Sequence, residues 1–226
     1  MNRFLGFTAL IVLVGGALFF LFINGPVPEA EEAPSAAVTT RTIDEDTDQY
    51  RIDVEYPHFN IAAFDAATAA AITKIADEVR VQSAEDVPVD EGFRKYELLG
   101  NIDKTYLDEK IASARVTLGQ DFGGAHPLPV VLTFNYDRES GREIDLAGAL
   151  ELVGMTLEEV AVGAKEQLNE NQNYSDMLIA PEGAEAKAEN YRTFFVDGEN
   201  VTFVFQAYQV AAYAAGTPEV SFPRVK

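Results

Sequence analysis

Few side chains in this sequence could carry chemistry, and the first to weigh is His126. It follows Gly123, Gly124 and Ala125 and precedes Pro127, which puts an imidazole in a tight, exposed turn. Imidazole titrates near ~6.5 and can serve as a base or a metal ligand. The only other histidine is His58, and no motif joins the two. A Gly-x-Ser-x-Gly elbow, a His-Glu-x-x-His helix and cysteine of any kind are absent. His126 and Pro127 are therefore read as a turn that shapes the fold or contacts a ligand. No catalytic residue, metal ligand or cofactor is assigned.

Carboxylates are abundant. Asp44, Asp46 and Asp48 alternate, and Glu55 stands eleven residues after Asp44, the spacing of a calcium-binding loop. The position that needs glycine is Gln49, and the residues after it alternate as a strand. A solvated acidic segment is expected there. Glycosidases need two carboxylates, but nothing singles out a pair, and no Trp is present to form a sugar platform. Tyr208 and Tyr213 are the best binding candidates. Phe203 and Phe205 alternate on a strand and face a core, whereas the two tyrosines lie beyond it, where the chain must turn. Tyrosine offers contact area and a hydroxyl, which suits an interface. Packing of this loop onto a sheet is the competing reading.

The elements that must position these residues read as α+β: an antiparallel sheet with two main helices packed on it, preceded by one N-terminal transmembrane helix. Tyr50, Ile52, Val54 and Tyr56 alternate with Arg51, Asp53 and Glu55, which is the period of a half-buried strand. Residues 64–84 have a helical period, with Asp65 as a candidate cap. Residues 85–92 read as a loop. Strands are expected at 96–102, 111–122 and 129–136. Asp137 to Gly141 forms a hairpin turn, and Ile144 and Leu146 continue the returning strand. Thr156 and Glu159 form a capping box, with Met155 and Val160 as a hydrophobic staple, opening the second helix. Asp197-Gly198 joins two further strands, and residues 220–222 form the last.

Phe4 to Ile23 is uncharged and strongly apolar. As a helix it would span ~30 Å, the thickness of a hydrocarbon core. An uncleaved anchor is the reading taken, with a cleaved secretory signal as the alternative. Residues 1–3 are then cytoplasmic, and the remainder lies outside. Residues 24–47, rich in Pro, Ala, Glu and Thr, read as a flexible linker. Residues 48–226 form the exterior domain, with a subdivision into 48–120 and 121–226 considered. The net charge of −20 leaves no basic stripe to displace counterions, so nucleic acid is excluded as a partner. The same charge attracts a cationic partner and promotes solubility.

Two stretches carry a family resemblance. One is Asp121-Phe122-Gly123-Gly124-Ala125-His126-Pro127, continued by Asn135-Tyr136-Asp137 and by Ser140 to Leu146; the other runs from Phe205 to Gly216. Together they resemble the extracytoplasmic domain of lysozyme-sensing anti-sigma factors of the RsiV type. That domain is of poorly known function and also precedes the catalytic domain of some peptidoglycan deacetylases. The resemblance covers about Asp48 to Pro223. It implies an exterior α+β domain and makes lysozyme and peptidoglycan the ligands to consider. It also implies that the Gly-Gly-Ala-His segment is a turn between strands. Where that family has prolines before both tyrosines, this sequence has Ala207 and Ala212, so two rigid positions are lost from the loop. Only Met1 to Arg3 precede the apolar run, so no sigma factor is expected as a partner. No catalytic domain follows Lys226, so deacetylation is not expected.

The expected function is a non-enzymatic, membrane-anchored extracytoplasmic binding module. Its candidate ligand-binding residues are His126, Pro127, Tyr208 and Tyr213, and its candidate partners are an envelope polymer such as peptidoglycan or a cationic protein such as lysozyme. An envelope hydrolase using His126 and carboxylates is one alternative. A structural or assembly protein is the other.

Overall fold

The computed structural model describes residues 38–86 and 94–225. The expected cytoplasmic residues 1–3, the apolar run 4–23, most of the linker and most of the 85–92 loop lie outside the described residues. Among the described residues no helix is long and apolar enough to cross a membrane.

In chain order, β1 (Thr39–Asp46) and β2 (Tyr50–His58) form a hairpin, followed by helix α1 (Ala62–Glu85). Then come β3 (Tyr96–Leu107), β4 (Ile111–Asp121), β5 (Leu128–Asp137) and the two-residue β6 (Arg142–Glu143). Helices α2 (Leu146–Val153) and α3 (Leu157–Glu170) lead through short 3-10 turns to β7 (Phe194–Val196), β8 (Asn200–Val204) and β9 (Glu219–Pro223). Strands β1 to β6 form one sheet in sequence order, and β7 to β9 form a second, three-stranded sheet.

The α+β class holds, with three corrections to its details. The large sheet is mixed: β2 and β3 are parallel, because α1 carries the chain back to the starting end before β3 begins. A third helix, α2, stands where a returning strand was expected. The Asp145 side chain accepts from the Gly148 backbone N–H at 2.9 Å and nucleates a helix immediately after β6. The linker, expected to run to residue 47, ends earlier, because Thr39–Asp46 pairs with β2 over its full length. That strand is exposed and needs only Ile43 for packing, so it carries no apolar alternation to read. The point 120/121, considered as a division, lies within β4, which is hydrogen-bonded to β5.

Strand alternation assigns two faces to the large sheet. Ile52, Val54, Leu98, Val116 and Leu118 face α1 and pack against Ile72, Ala76 and Val79. Asp65 does not cap α1 forward. Its carboxylate instead reaches back to accept from the backbone N–H groups of Phe59 (2.7 Å) and Ile61 (2.8 Å), fixing the turn into the helix. The second sheet and α3 enclose a separate core of Val160, Ala164, Leu168, Tyr191, Phe203, Phe205 and Phe222. The capping box at Thr156 and Glu159 is present in both directions.

Side-chain amides stitch the two sheets together. Asn135 on β5 donates to the Phe194 carbonyl (2.7 Å) and accepts from the Val196 N–H (3.0 Å), so it pairs with β7 as a strand would. Gln206 does the same for β5, accepting from the Val131 N–H (3.0 Å) and donating to the Val131 carbonyl (2.8 Å). Arg115, 5% exposed, forms ion pairs with Asp103 and Glu219 and ties β4 to β9. The second sheet therefore covers β4 and β5. The far side of β1 to β3 keeps the polar residues of each strand at the surface.

Candidate ligand-binding site

The Asp121 to Pro127 turn is built from its acid. The buried Asp121 carboxylate accepts from the Gly123 N–H (2.9 Å) and from Arg94 (2.8 Å), which also reaches the Gly124 carbonyl (3.1 Å). Gly123 sits at φ +78, where a side chain would be strained. Phe122 meets the Tyr96 ring edge-on at 5.3 Å. This bracing holds His126 at the edge of the sheet, just before β5.

The second stretch arrives from the other sheet. With Gln206 fixed on Val131, Gln209 folds back: it accepts from the Gln206 N–H (2.9 Å) and donates to the Gly183 and Asn190 carbonyls (3.0 Å each). Gly183 has no room for a side chain, because a Cβ would overlap the Gln209 carbonyl. Between these anchors Tyr208 adopts φ +67, an uncommon conformation for a bulky residue. Gly216, at φ +67, closes the loop.

The structure brings together all four residues proposed from sequence. The His126 and Tyr213 rings stack at 3.8 Å with an interplanar angle of 27°. The Tyr213 hydroxyl donates to the Pro127 carbonyl at 2.8 Å. His126 Nδ1 lies 3.2 Å from the same carbonyl, and Nε2 lies 3.3 Å from the Tyr208 hydroxyl. A carbonyl only accepts, so Nδ1 is the donor to Pro127, while either Nε2 or the Tyr208 hydroxyl can donate in the other contact. The Tyr208 and Tyr213 rings are 5.8 Å apart. Each group of His126 is thus engaged, and among the described residues no carboxylate lies within ion-pair distance of it. His58 is elsewhere, 3.5 Å from Asp65 at the start of α1.

Tyr213, Pro127 and Pro129 form one wall of an open groove of about 550 Å³ on the uncovered sheet face. Its floor includes Leu99, Asn101, Thr117 and Gly119, and its far side is Arg51, Asp53 and Glu55. The cross-strand partners of that far side are Asp46, Asp44 and Thr42. Asp44 lies directly opposite Asp53, and Glu97 faces the same way beside Arg51. Arg51 is shared with Asp53 at 3.1 Å, and Lys95 with Asp46 at 2.6 Å. The face as a whole is acidic. Sequence reasoning missed these groove residues. Their signal was the polar half of the Arg51-Asp53-Glu55 alternation, which looks like any solvated strand face.

The acidic hairpin does not form a calcium loop. Asp44 and Asp46 lie on β1 and Glu55 on β2, so their side chains follow an extended ladder rather than converge. Among the described residues no group of three or more His, Cys, Asp or Glu is placed to hold a metal.

Two sheets stitched by side-chain amides, with an aromatic corner beside an open acidic face, define the fold and its site. Residues 154–224 match the sequence model of a family described as protein of unknown function (DUF3298). The fold is that of a DUF3298 family protein from Pseudomonas aeruginosa PAO1, with a TM-score of 0.55 and 16% identity over 84% of this chain and 92% of that one. A second member of the family, from Bacteroides fragilis, aligns over 84% of this chain and 91% of its own, with 17% identity and a TM-score of 0.48. Among curated proteins, the chain is similar to the peptidoglycan-N-acetylmuramic acid deacetylase PdaC of Bacillus subtilis, at 23% identity over 190 residues. The match takes in 83% of this chain and only 40% of that protein.

Proposed function

We propose that this protein is a non-enzymatic binding module of the cell envelope, held outside the membrane by residues 4–23, and that it takes a cationic protein such as lysozyme on its open sheet face. The observation that carries this reading is the uncovered face itself. It sets Asp44 against Asp53, a like-charge cross-strand pair that costs stability, and adds Glu55 and Glu97. Such a face gains from a basic partner by steering and by relief of self-repulsion. Tyr213, braced by His126 and Pro127, supplies the aromatic anchor beside it. The resemblance to the RsiV-type exterior domain names lysozyme as the first probe. The full engagement of His126 by Pro127, Tyr208 and Tyr213 supports binding over hydrolysis.

A second reading, recognition of peptidoglycan, is favoured by the similarity to PdaC and by the polar groove walled by Tyr213. Calorimetry of the full chain in detergent, with lysozyme and with soluble peptidoglycan fragments, separates the two. Saturable lysozyme binding that weakens with salt is the expected result. Absence of binding to both at low salt would remove both ligands.

A further inference from the structure

We propose that β1 is a self-pairing edge, through which two copies of the chain join antiparallel into one continuous sheet. The backbone geometry fixes which groups are free. The Thr47 N–H donates to the Tyr50 carbonyl at 2.9 Å, so 47 and 50 form a hydrogen-bonded pair. Alternation along the ladder then turns residues 45, 43 and 41 toward β2, and points the N–H and C=O groups of Thr40, Thr42, Asp44 and Asp46 outward. No other described strand pairs with that side. Of the devices that block an edge, β1 lacks proline and any bulge, its register with β2 being unbroken over all eight residues. What it does carry is charge, at Arg41, Asp44, Glu45 and Asp46, so only a partner that matches those charges can pair with it.

The charge pattern selects the partner and the register. The sequence Thr-Thr-Arg-Thr-Ile-Asp-Glu-Asp has its one cation in the first half and its acids in the second. An antiparallel copy of itself reverses that order. Directly opposed residues must share a face, and residues 42, 44 and 46 share the open face while 41, 43 and 45 share the α1 face. Of the registers this allows, pairing about Ile43 alone sets Arg41 opposite a carboxylate, the partner's Glu45. It also sets Thr42 opposite the partner's Asp44 and Thr40 opposite the partner's Asp46, so no acid faces an acid. Glu45 already receives hydrogen bonds from Arg80 of α1, including one of 3.1 Å from Nε, and Arg41 of the second copy would extend that network. Arg41 itself has no ion-pair partner among the described residues. The pairing leaves the groove face uncovered, so it does not depend on the ligand assigned above.

The absence of cysteine makes the test direct. In this register two Ile43 residues form a non-hydrogen-bonded pair with Cα atoms ~4.5 Å apart, within disulfide reach. The full chain carrying Ile43→Cys, in detergent, should crosslink to a dimer under mild oxidation. Thr39→Cys, whose two copies would lie roughly 27 Å apart, should not. Because Ile43 is half-buried, mixed chains of Thr42→Cys and Asp44→Cys provide a second readout at exposed positions, and should crosslink with each other more than either does alone. In the Ile43→Cys background, Arg41→Glu should lower the yield roughly tenfold, by turning two attractive pairs into repulsive ones. Thr42→Pro, which removes an outward donor, should abolish it with the circular dichroism unchanged. Equal crosslinking at residues 39 and 43, monomers at all positions, or capture of an added basic peptide in place of the second copy would overturn the proposal.

Discussion

The large sheet has two regions built from the same strands under opposite conditions. Over β4 and β5 it is covered on both sides, by α1 and by the second sheet. Every residue from Ile111 to Val116 is buried, and Asn135 and Arg115 reach the opposing layer, at Phe194 and at Glu219. Over β1 to β3 one side is open, and the same alternation presents Asp44, Asp53, Glu55 and Asn101 to solvent. The covered region spends polar side chains on holding the layers together. The open region keeps like charges side by side, which folding alone does not favour. The contrast separates scaffold from surface, and the aromatic corner of His126 and Tyr213 lies at the boundary between them.

Substitutions that break the covered region should have the largest effects. Asn135→Ala leaves the Phe194 carbonyl and the Val196 N–H buried without partners, a loss of about 2–5 kcal/mol in denaturant unfolding. Gly183→Ala should be of similar size, because its Cβ has to displace the Gln209 backbone that shapes the tyrosine loop.

Acidification should come next, and it acts at the edge of the open region. The Glu45 carboxyl is held below its ordinary 4.5, first by the hydrogen bond from Arg80. A group lowered in the folded state contributes stability above its unfolded value and loses it as pH falls through the folded one. Thermal stability should therefore drop as pH falls below about 4.5. Arg80→Ala should flatten that limb in a pH series of melting curves. Burial pushes the Tyr191 hydroxyl the other way, to about 12, so stability should also fall as pH rises from 10.0 toward that value. Tyr191→Phe should remove this alkaline loss.

The smallest stability effects belong to the open face. Asp44→Thr removes one member of the opposed acidic pair, and should stabilise the fold by ~0.2–1 kcal/mol while weakening the binding of lysozyme proposed for this face. Tyr213→Phe loses the bond to the Pro127 carbonyl, worth ~0.5–1.5 kcal/mol, with the ring stack retained. Opposite signs for stability and binding at Asp44 would sharpen the contrast. A destabilised Asp44→Thr would blur it.

How much of this was legible in the sequence follows the same division. The α1 and α3 faces, the capping box and the Asp137 to Gly141 turn could be read because each is a local signal: a period, a cap, or a glycine at φ +70. The four site residues could be named because each stands out locally, His126 and Pro127 in a glycine-rich turn and Tyr208 and Tyr213 beyond the end of a strand. That the two stretches meet could not be read, since they lie about eighty residues apart. The roles of Asn135 and Gln206 could not be read, since each bonds a strand about sixty to seventy-five residues away. Strand β1 was missed because an exposed edge carries no burial pattern. The acidic groove was missed because it arises only when β2, β3 and β4 lie side by side.

The central claim is that the open acidic face beside Tyr213 binds the ligand and the covered region does not. The most direct measurement is a calorimetric titration of lysozyme into the full chain in detergent, comparing the unchanged sequence with the Asp53→Asn/Glu55→Gln double variant at low and at physiological salt. The account predicts saturable binding to the unchanged chain that weakens as salt rises, and a loss of at least ~10-fold in the variant with its melting temperature preserved. Equal affinity for both chains, or no binding at low salt, would contradict it.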